Sequence, residues 1–283
     1  MRFCYYPGCS LEVTAKEYDH SARSVCRLLG IELAELPDWS CCGASSAHSV
    51  SRKLAVALPA RTIAQAQEAG SDLVTPCPAC SNRLKRADYA LRHDGPLRRE
   101  MEELLGFTYT GAVRIYSLLE AMVNFFDPQE ISRMVKKPLN GLKVVCYYGC
   151  LLVRPPEVVN FDRPENPVTM DNLMAALGAE VKNWSYKTEC CGAHQGIVNR
   201  AYSAHLVNTL LTMAVEAGAQ ALVVSCPLCQ ATLEMRRNPE LALPSFYFTE
   251  LLELALGVPE ENIWFSKHLI DPRPLLRQLA PAG

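Results

Sequence analysis

The chain has 283 residues, 49% of them hydrophobic and 20% charged, with 28 Lys and Arg set against 30 Asp and Glu for a formal net charge of −2. That composition excludes intrinsic disorder, and the near-neutral balance excludes a global basic field of the kind that holds nucleic acid or an anionic membrane surface. Thirteen cysteines are an odd number that cannot pair fully within one chain, and a chain this long does not need disulfide staples.

Residues 1–7 lack a basic region followed by an apolar stretch, so they do not read as a secretory signal. The most membrane-like window, residues 206–224, carries Asn208, Glu216 and Gln220, which suits a helix followed by a buried strand better than a span. The expectation is a cytoplasmic protein with reduced thiols and no direct membrane insertion. In that setting, clustered cysteines point to metal or redox chemistry.

In chain order, residues 2–6 read as a short buried strand, 22–30 as a helix stopped at Gly30, and 51–70 as a longer helix. Residues 72–75 are a continuous apolar run of buried-strand type, and 113–116 form a further strand running into a Leu-rich helix. The same series then returns: strand at 142–147, helices at 171–178 and 199–218, strands at 221–225 and 245–248. The fold class is therefore α/β, two pseudo-symmetric CCG repeats, each a mainly parallel sheet flanked by helices. The domains fall at 1–139 and 140–283, with the hinge near Lys136-Lys137-Pro138-Leu139-Asn140-Gly141.

The cysteines carry the repeat. Cys41-Cys42-Gly43-Ala44 returns as Cys190-Cys191-Gly192-Ala193, and Cys77-Pro78-Ala79-Cys80 as Cys226-Pro227-Leu228-Cys229, each at an offset of 149. Cys4-Tyr5-Tyr6-Pro7-Gly8-Cys9 is echoed one residue shorter by Cys146-Tyr147-Tyr148-Gly149-Cys150. From Cys9 to Cys150 the offset is only 141, so the second copy has gained eight residues, placed in the stretch 154–167. Cys77 and Cys226 follow a strand and open a helix whose first turn Pro78 and Pro227 suit. The carboxyl ends of parallel strands are where open α/β sheets bind ligands, and helix N-termini there favour an anionic centre.

Each copy thus supplies five cysteines: Cys9, Cys41, Cys42, Cys77 and Cys80, then Cys150, Cys190, Cys191, Cys226 and Cys229. A structural zinc or a cubane iron–sulfur cluster takes four. A multi-iron cluster that presents several iron faces accommodates five more readily; four ligands plus one buried thiol, or zinc in one half, remain open alternatives. Cys4, Cys26 and Cys146 read as packing residues. No Cys-x2-Cys-x2-Cys-x3-Cys-Pro run and no Gly-x-Gly-x-x-Gly fingerprint occurs, so no flavin or nicotinamide is expected on this chain.

This motif set resembles the CCG-domain family of heterodisulfide reductase B subunits. Its carriers are Cys4-Tyr5-Tyr6-Pro7-Gly8-Cys9-Ser10, Ser40-Cys41-Cys42-Gly43-Ala44, Cys77-Pro78-Ala79-Cys80, Tyr148-Gly149-Cys150, Phe161-Asp162-Arg163-Pro164-Glu165-Asn166-Pro167, Cys190-Cys191-Gly192-Ala193 and Cys226-Pro227-Leu228-Cys229. The resemblance implies two non-cubane 4Fe–4S clusters, each held by the five cysteines of its set, and a small-molecule disulfide split between them into two thiols. It implies electrons delivered by a ferredoxin-like C subunit from a flavin-containing A subunit of the same complex. The substrate the resemblance implies is the coenzyme M–coenzyme B heterodisulfide or another disulfide. Two other classes stay in view, an electron-relay protein without its own disulfide substrate and a zinc-binding structural module.

His48, five positions beyond the first CCG, and His194, two beyond the second, are candidate proton donors. Arg83, Lys85 and Arg86 beyond Cys80, with Arg154 and Lys187, are candidates to steer an anionic disulfide.

Overall fold

The computed structural model describes residues 1–44, 46–196 and 198–279. Four strands, β1 (Arg2–Tyr5), β2 (Glu32–Glu35), β3 (Leu73–Thr75) and β4 (Ile115–Ser117), form one sheet in the order β2-β1-β3-β4. Four more, β5 (Lys143–Tyr147), β6 (Glu180–Val181), β7 (Ala221–Val224) and β8 (Ser245–Tyr247), form a second in the matching order β6-β5-β7-β8. Every described strand pair is parallel. The order places a topological switch between β1 and β3, and between β5 and β7, where a crevice opens beyond the strand ends.

The inner strands are the continuous apolar runs that sequence marks, buried on both faces by flanking helices. The edge strands β2 and β6 were not expected. They are short, partly exposed and carry Glu32, Glu35 and Glu180, which weakens their apolar signature and also discourages edge-to-edge pairing. The long helices start and stop as the sequence directs: Ser51 accepts from Leu54 N ahead of Arg52–Glu68, and Asn199 accepts from Tyr202 N ahead of Arg200–Glu216. The helix expected from residue 22 begins earlier, at Lys16, and runs to Leu28.

One contiguous apolar core runs through both sheets. Helix Lys16–Leu28 of the first half packs on helix Phe248–Ala255 of the second. There Tyr18 and Tyr247 stack at 4.0 Å and within 4° of parallel, and the Ser21 and Thr249 hydroxyls meet at 2.7 Å. Such a ring pair adds about 0.5–1.5 kcal/mol beyond its buried area. The extra residues of the second copy strap back onto helix Pro78–His93: Asn82 Nδ2 donates to the Leu151 and Arg154 carbonyls at 3.0 and 2.7 Å, and Lys85 Nζ to the Val159 carbonyl at 2.9 Å.

Candidate metal centre at the strand ends

All ten paired-set cysteines lie at the carboxyl ends of the strands. Cys9 sits in the first turn of the short helix Gly8–Val13 after β1, and Cys41 and Cys42 in the loop after β2. Cys77 precedes helix Pro78–His93 and Cys80 is in its first turn. In the second half Cys150 follows β5, Cys190 and Cys191 follow β6, and Cys226 and Cys229 bracket the start of helix Pro227–Met235. All thirteen cysteines are unbridged. Cys42 Sγ is 3.3 Å from Cys80 Sγ, and Cys191 Sγ is 3.5 Å from Cys229 Sγ, the same contact in each half.

The backbone is shaped around these sulfurs. Gly8 has φ +75°, and a Cβ there would stand 2.9 Å from Cys80 Sγ; Gly149, at φ +67°, would place one 3.3 Å from Cys229 Sγ. Only glycine gives both the left-handed turn and that approach. Tyr6 OH donates to the Ser40 carbonyl at 2.8 Å, and Tyr147 OH to the Glu189 carbonyl at 2.7 Å, so one tyrosine per half ties the first strand to the residue before each double cysteine. The Gly43 and Gly192 amides donate to Cys41 and Cys190 Sγ at 3.4 and 3.3 Å.

The thiols polarise one another. A hydrogen bond from Cys41, then one from Cys80, draws the Cys42 thiol down to about 3. Cys150 draws Cys190 down to about 6, and Cys229 lowers Cys191. Cys77 is held well below its ordinary value first by Cys226, across the boundary between the halves. Thiolates are the ligating form, and the contacts that lower these thiols raise their partners, Cys41 and Cys80 in the first set and Cys150 and Cys229 in the second.

All five cysteines of the second set line one cavity of about 320 Å³, together with Ala44, Pro78 and Ala79 of the first half. Five soft donors around such a space fit a multi-iron sulfur group, whose several iron atoms present separate faces to separate ligands.

His194 is exposed, lines this cavity and acts electrostatically on Cys190. His48 is exposed and lies within electrostatic reach of His194, Arg83 and Arg86, but does not line the cavity. Of the candidate cations, Arg83 acts on Cys42. Two are corrected. Lys85 is buried in an ion pair with Glu120 at 2.7 Å, and Lys187 is buried against Asp171 at 2.6 Å and the Pro167 carbonyl at 2.9 Å; both hold the fold together. Arg154 is engaged by Glu165 at 2.7 Å and Thr188 at 3.1 Å.

The three remaining thiols stand apart from the sets. Cys26 is buried and pushed up to about 12 by burial. Cys4 and Cys146 look equivalent in sequence, yet the sheet register separates them. Cys4 lies beside Leu73, whose counterpart Leu222 lies beside Val145, so Cys146 is one residue on and points to the opposite face. Desolvation raises both.

Comparison with known proteins bears on the same residues. The family model described as a CCG cysteine-rich domain matches twice, at residues 3–85 and 144–234. A Wolinella succinogenes protein named 8-methylmenaquinol:fumarate reductase membrane anchor subunit is 30% identical, over 96% of this chain and 98% of its own. A Methanosarcina acetivorans protein, named as the B subunit of a ferredoxin/F(420)H(2)-dependent CoB-CoM heterodisulfide reductase, is 26% identical, over 94% of this chain and 93% of its own. A solved structure of a hypothetical protein from Helicobacter pylori superposes with a TM-score of 0.76 at 13% identity over 95% of this chain, which spans about half (52%) of that protein, and shows a shared fold. Among the described residues no helix is long and apolar enough to cross a membrane. Both family matches carry their cysteines to the same pair of strand-end crevices, and the chain belongs to the CCG cysteine-rich domain family.

Proposed function

We propose that the chain is an iron–sulfur redox component of a multi-subunit complex in the cytoplasm. Residues 1–139 and 140–283 are its two CCG units, each holding a non-cubane 4Fe–4S cluster through its five cysteines. The reaction is reductive cleavage of a small disulfide to two thiols, consuming two electrons and two protons. Clusters held by the two cysteine sets would supply one-electron chemistry from either side of the substrate. The observation that carries this reading is one cavity lined by the whole second cysteine set and by Ala44, Pro78 and Ala79 of the other half. A substrate at the mouth of that cavity, beyond the cluster its cysteines would hold, would meet both halves at once. The relative named as a heterodisulfide reductase B subunit supports the same chemistry.

The chain's own residues divide the remaining work. His194, which lines the cavity, is the candidate to pass a proton to a departing thiolate, with His48 within electrostatic reach of it. The Arg83 guanidinium, whose Nε has no hydrogen-bond partner among the described residues, offers a charge to an anionic arm of the substrate. Electrons enter from a ferredoxin-like C subunit, fed by a flavin-containing A subunit.

A second reading is an electron relay in a quinol-linked reductase, with no disulfide substrate. The full-length match to the Wolinella protein favours it. Anaerobically purified chain, reduced with dithionite and freed of excess reductant, separates the two. Reoxidation by the coenzyme M–coenzyme B heterodisulfide or other low-molecular-weight disulfides, with two thiols released per disulfide, supports the first reading. Reoxidation by a short-chain naphthoquinone alone contradicts it.

A further inference from the structure

Behind the second cysteine set lies a group of ionisable side chains that the chemistry above does not use. Glu17 comes from helix Lys16–Leu28, Glu234 from helix Pro227–Met235, Glu250 and Glu253 from helix Phe248–Ala255, and His268 from the segment beyond Phe265–Lys267. All five are buried, Glu250 and Glu253 completely. His268 Nε2 is 2.8 Å from Glu250 Oε1, and its Nδ1 is 3.6 Å from Glu234 Oε1. Gln230 Nε2 and Ser245 Oγ donate to Glu234 Oε1, both at 2.8 Å, and Tyr247 OH donates to Gln230 Oε1 at 3.3 Å. No hydrogen bond reaches either oxygen of Glu253 among the described residues, although the Ser24 hydroxyl acts on it from the facing helix.

Four carboxylates and one imidazolium would leave an excess of three negative charges out of contact with water. Such a charge is too costly to keep, so the group retains protons instead. Burial raises Glu17, and burial, then the neighbouring Glu250, pushes Glu253 up to about 7. Burial works against a charged His268, but Glu250 and Glu234 outweigh it and bring the ring up to about 10. The other charges on the surrounding elements are committed elsewhere or stand outside. Asp19 is held by Arg23 and Tyr5, and Asp171 by Lys187 and Tyr148. Lys16, His20 and Arg27 line an open cleft with Trp264 on the outer side of their helix.

Among the described residues the first half has no such group. Glu234 occupies the position of Lys85, at the same offset of 149 that relates Cys80 to Cys229. Glu120 and Glu250 are the third residues of matching helices after β4 and β8. Where the first half closes a neutral Lys85–Glu120 pair, the second has put a carboxyl in place of the lysine and brought His268 in to bridge. The stacked rings of Tyr18 and Tyr247 lie within electrostatic reach of Glu250 and of the sulfurs; Tyr18 feels both Cys77 and Cys226.

We propose that Glu17, Glu234, Glu250, Glu253 and His268 form a buried proton store, which takes up a proton when the iron–sulfur group of the second cysteine set gains an electron, while the first half is reduced without proton uptake. The inference rests on the two-cluster reading above. In the balanced step, one electron passes from an external donor to the iron–sulfur group. One proton leaves water and converts a carboxylate of the store to the carboxylic acid. The charge of that half is then unchanged, which removes the cost of adding a charge in a region of low dielectric. The five residues act through their field and their protons, as positioning residues that do not touch the substrate.

The test is an anaerobic, spectroscopically monitored redox titration of the full chain from pH 6 to 8, on wild type, Glu253→Gln and Glu253→Asp. In the wild type, a tenfold change in proton activity moves one of two one-electron equilibria by up to about tenfold above pH 7, close to 59 mV per pH unit, and less below it, where Glu253 already holds a proton, and leaves the other fixed. Glu253→Gln flattens the moving one, and Glu253→Asp restores its slope. Should Glu253→Gln not fold, the wild type still decides, through a protonated-carboxyl infrared band that grows on reduction. If iron–sulfur groups are present and reducible but both equilibria ignore pH, or both follow it equally in wild type and Glu253→Gln, the proton store is overturned and the two-cluster reading stands. If the chain holds no iron–sulfur group, both fall.

Discussion

Cys77 and Cys226 occupy the same position in two halves 149 residues apart, and Pro78, next to Cys77, lines the same cavity as Cys226. Each closes its strand, β3 or β7, and each precedes a proline that opens a helix. The duplication therefore makes two sites that touch. Replacing either with serine is expected to disturb both halves, whereas Cys9→Ser, at an exposed position in the first half, is expected to disturb its own set alone. Iron analysis of the three variants checks this. Cys9→Ser should lose roughly four of eight iron atoms, and Cys226→Ser more.

Gly8 separates backbone strain from sulfur crowding. Gly8 and Gly30 have nearly the same φ, +75° and +71°, but an added Cβ meets Cys80 Sγ at 2.9 Å in the first and nothing within 4 Å in the second. Both alanine variants should lose about 1 kcal/mol in urea unfolding from the positive φ. Only Gly8→Ala should also lose iron from the first set.

The Lys85–Glu120 pair is expected to hold the first half together rather than to meet substrate. Lys85→Met strands Glu120 in the interior and should cost about 3–5 kcal/mol. Lys85→Met with Glu120→Leu should recover most of that loss. Urea midpoints of the two variants give the comparison.

Stability should fall as pH rises, and the sign follows from the buried group. The folded His268 ring titrates at about 10 against an ordinary 6.5, so its contribution is complete below about 6.5 and is lost as pH climbs through about 10. Folded Glu253 titrates at about 7 against 4.5, so the folded state also holds the extra proton between those values, and stability declines across that window too. Thermal unfolding of the wild type should decline steadily from pH 5 to 10, and His268→Gln should flatten the upper part of the profile.

Much of the site was legible because its cysteines are local punctuation. Cys77-Pro78-Ala79-Cys80 and Cys226-Pro227-Leu228-Cys229 each follow a buried apolar run and open a helix, so their place at a strand end could be read directly. The edge strands β2 and β6 were not legible, since Glu32-Leu33-Ala34-Glu35 and Glu180-Val181 are too short and too charged to carry a strand pattern. Lys85 and Lys187 looked like steering charges because their partners, Glu120 and Asp171, are distant in sequence. The Glu234–His268–Glu250 bridge was invisible for the same reason, since its residues join only when the C-terminal segment folds back. Cys4 and Cys146 appeared equivalent because each precedes a pair of tyrosines. The fold instead matches Tyr6 to Tyr147, each tied to the carbonyl before a double cysteine, which sets Cys4 against Val145 and reverses the strand alternation at Cys146.

The most direct measurement of the central claim is iron and acid-labile sulfide per chain after anaerobic purification. The account predicts about eight of each, two four-iron groups on ten cysteines. About four of each, or zinc in place of iron, would contradict it.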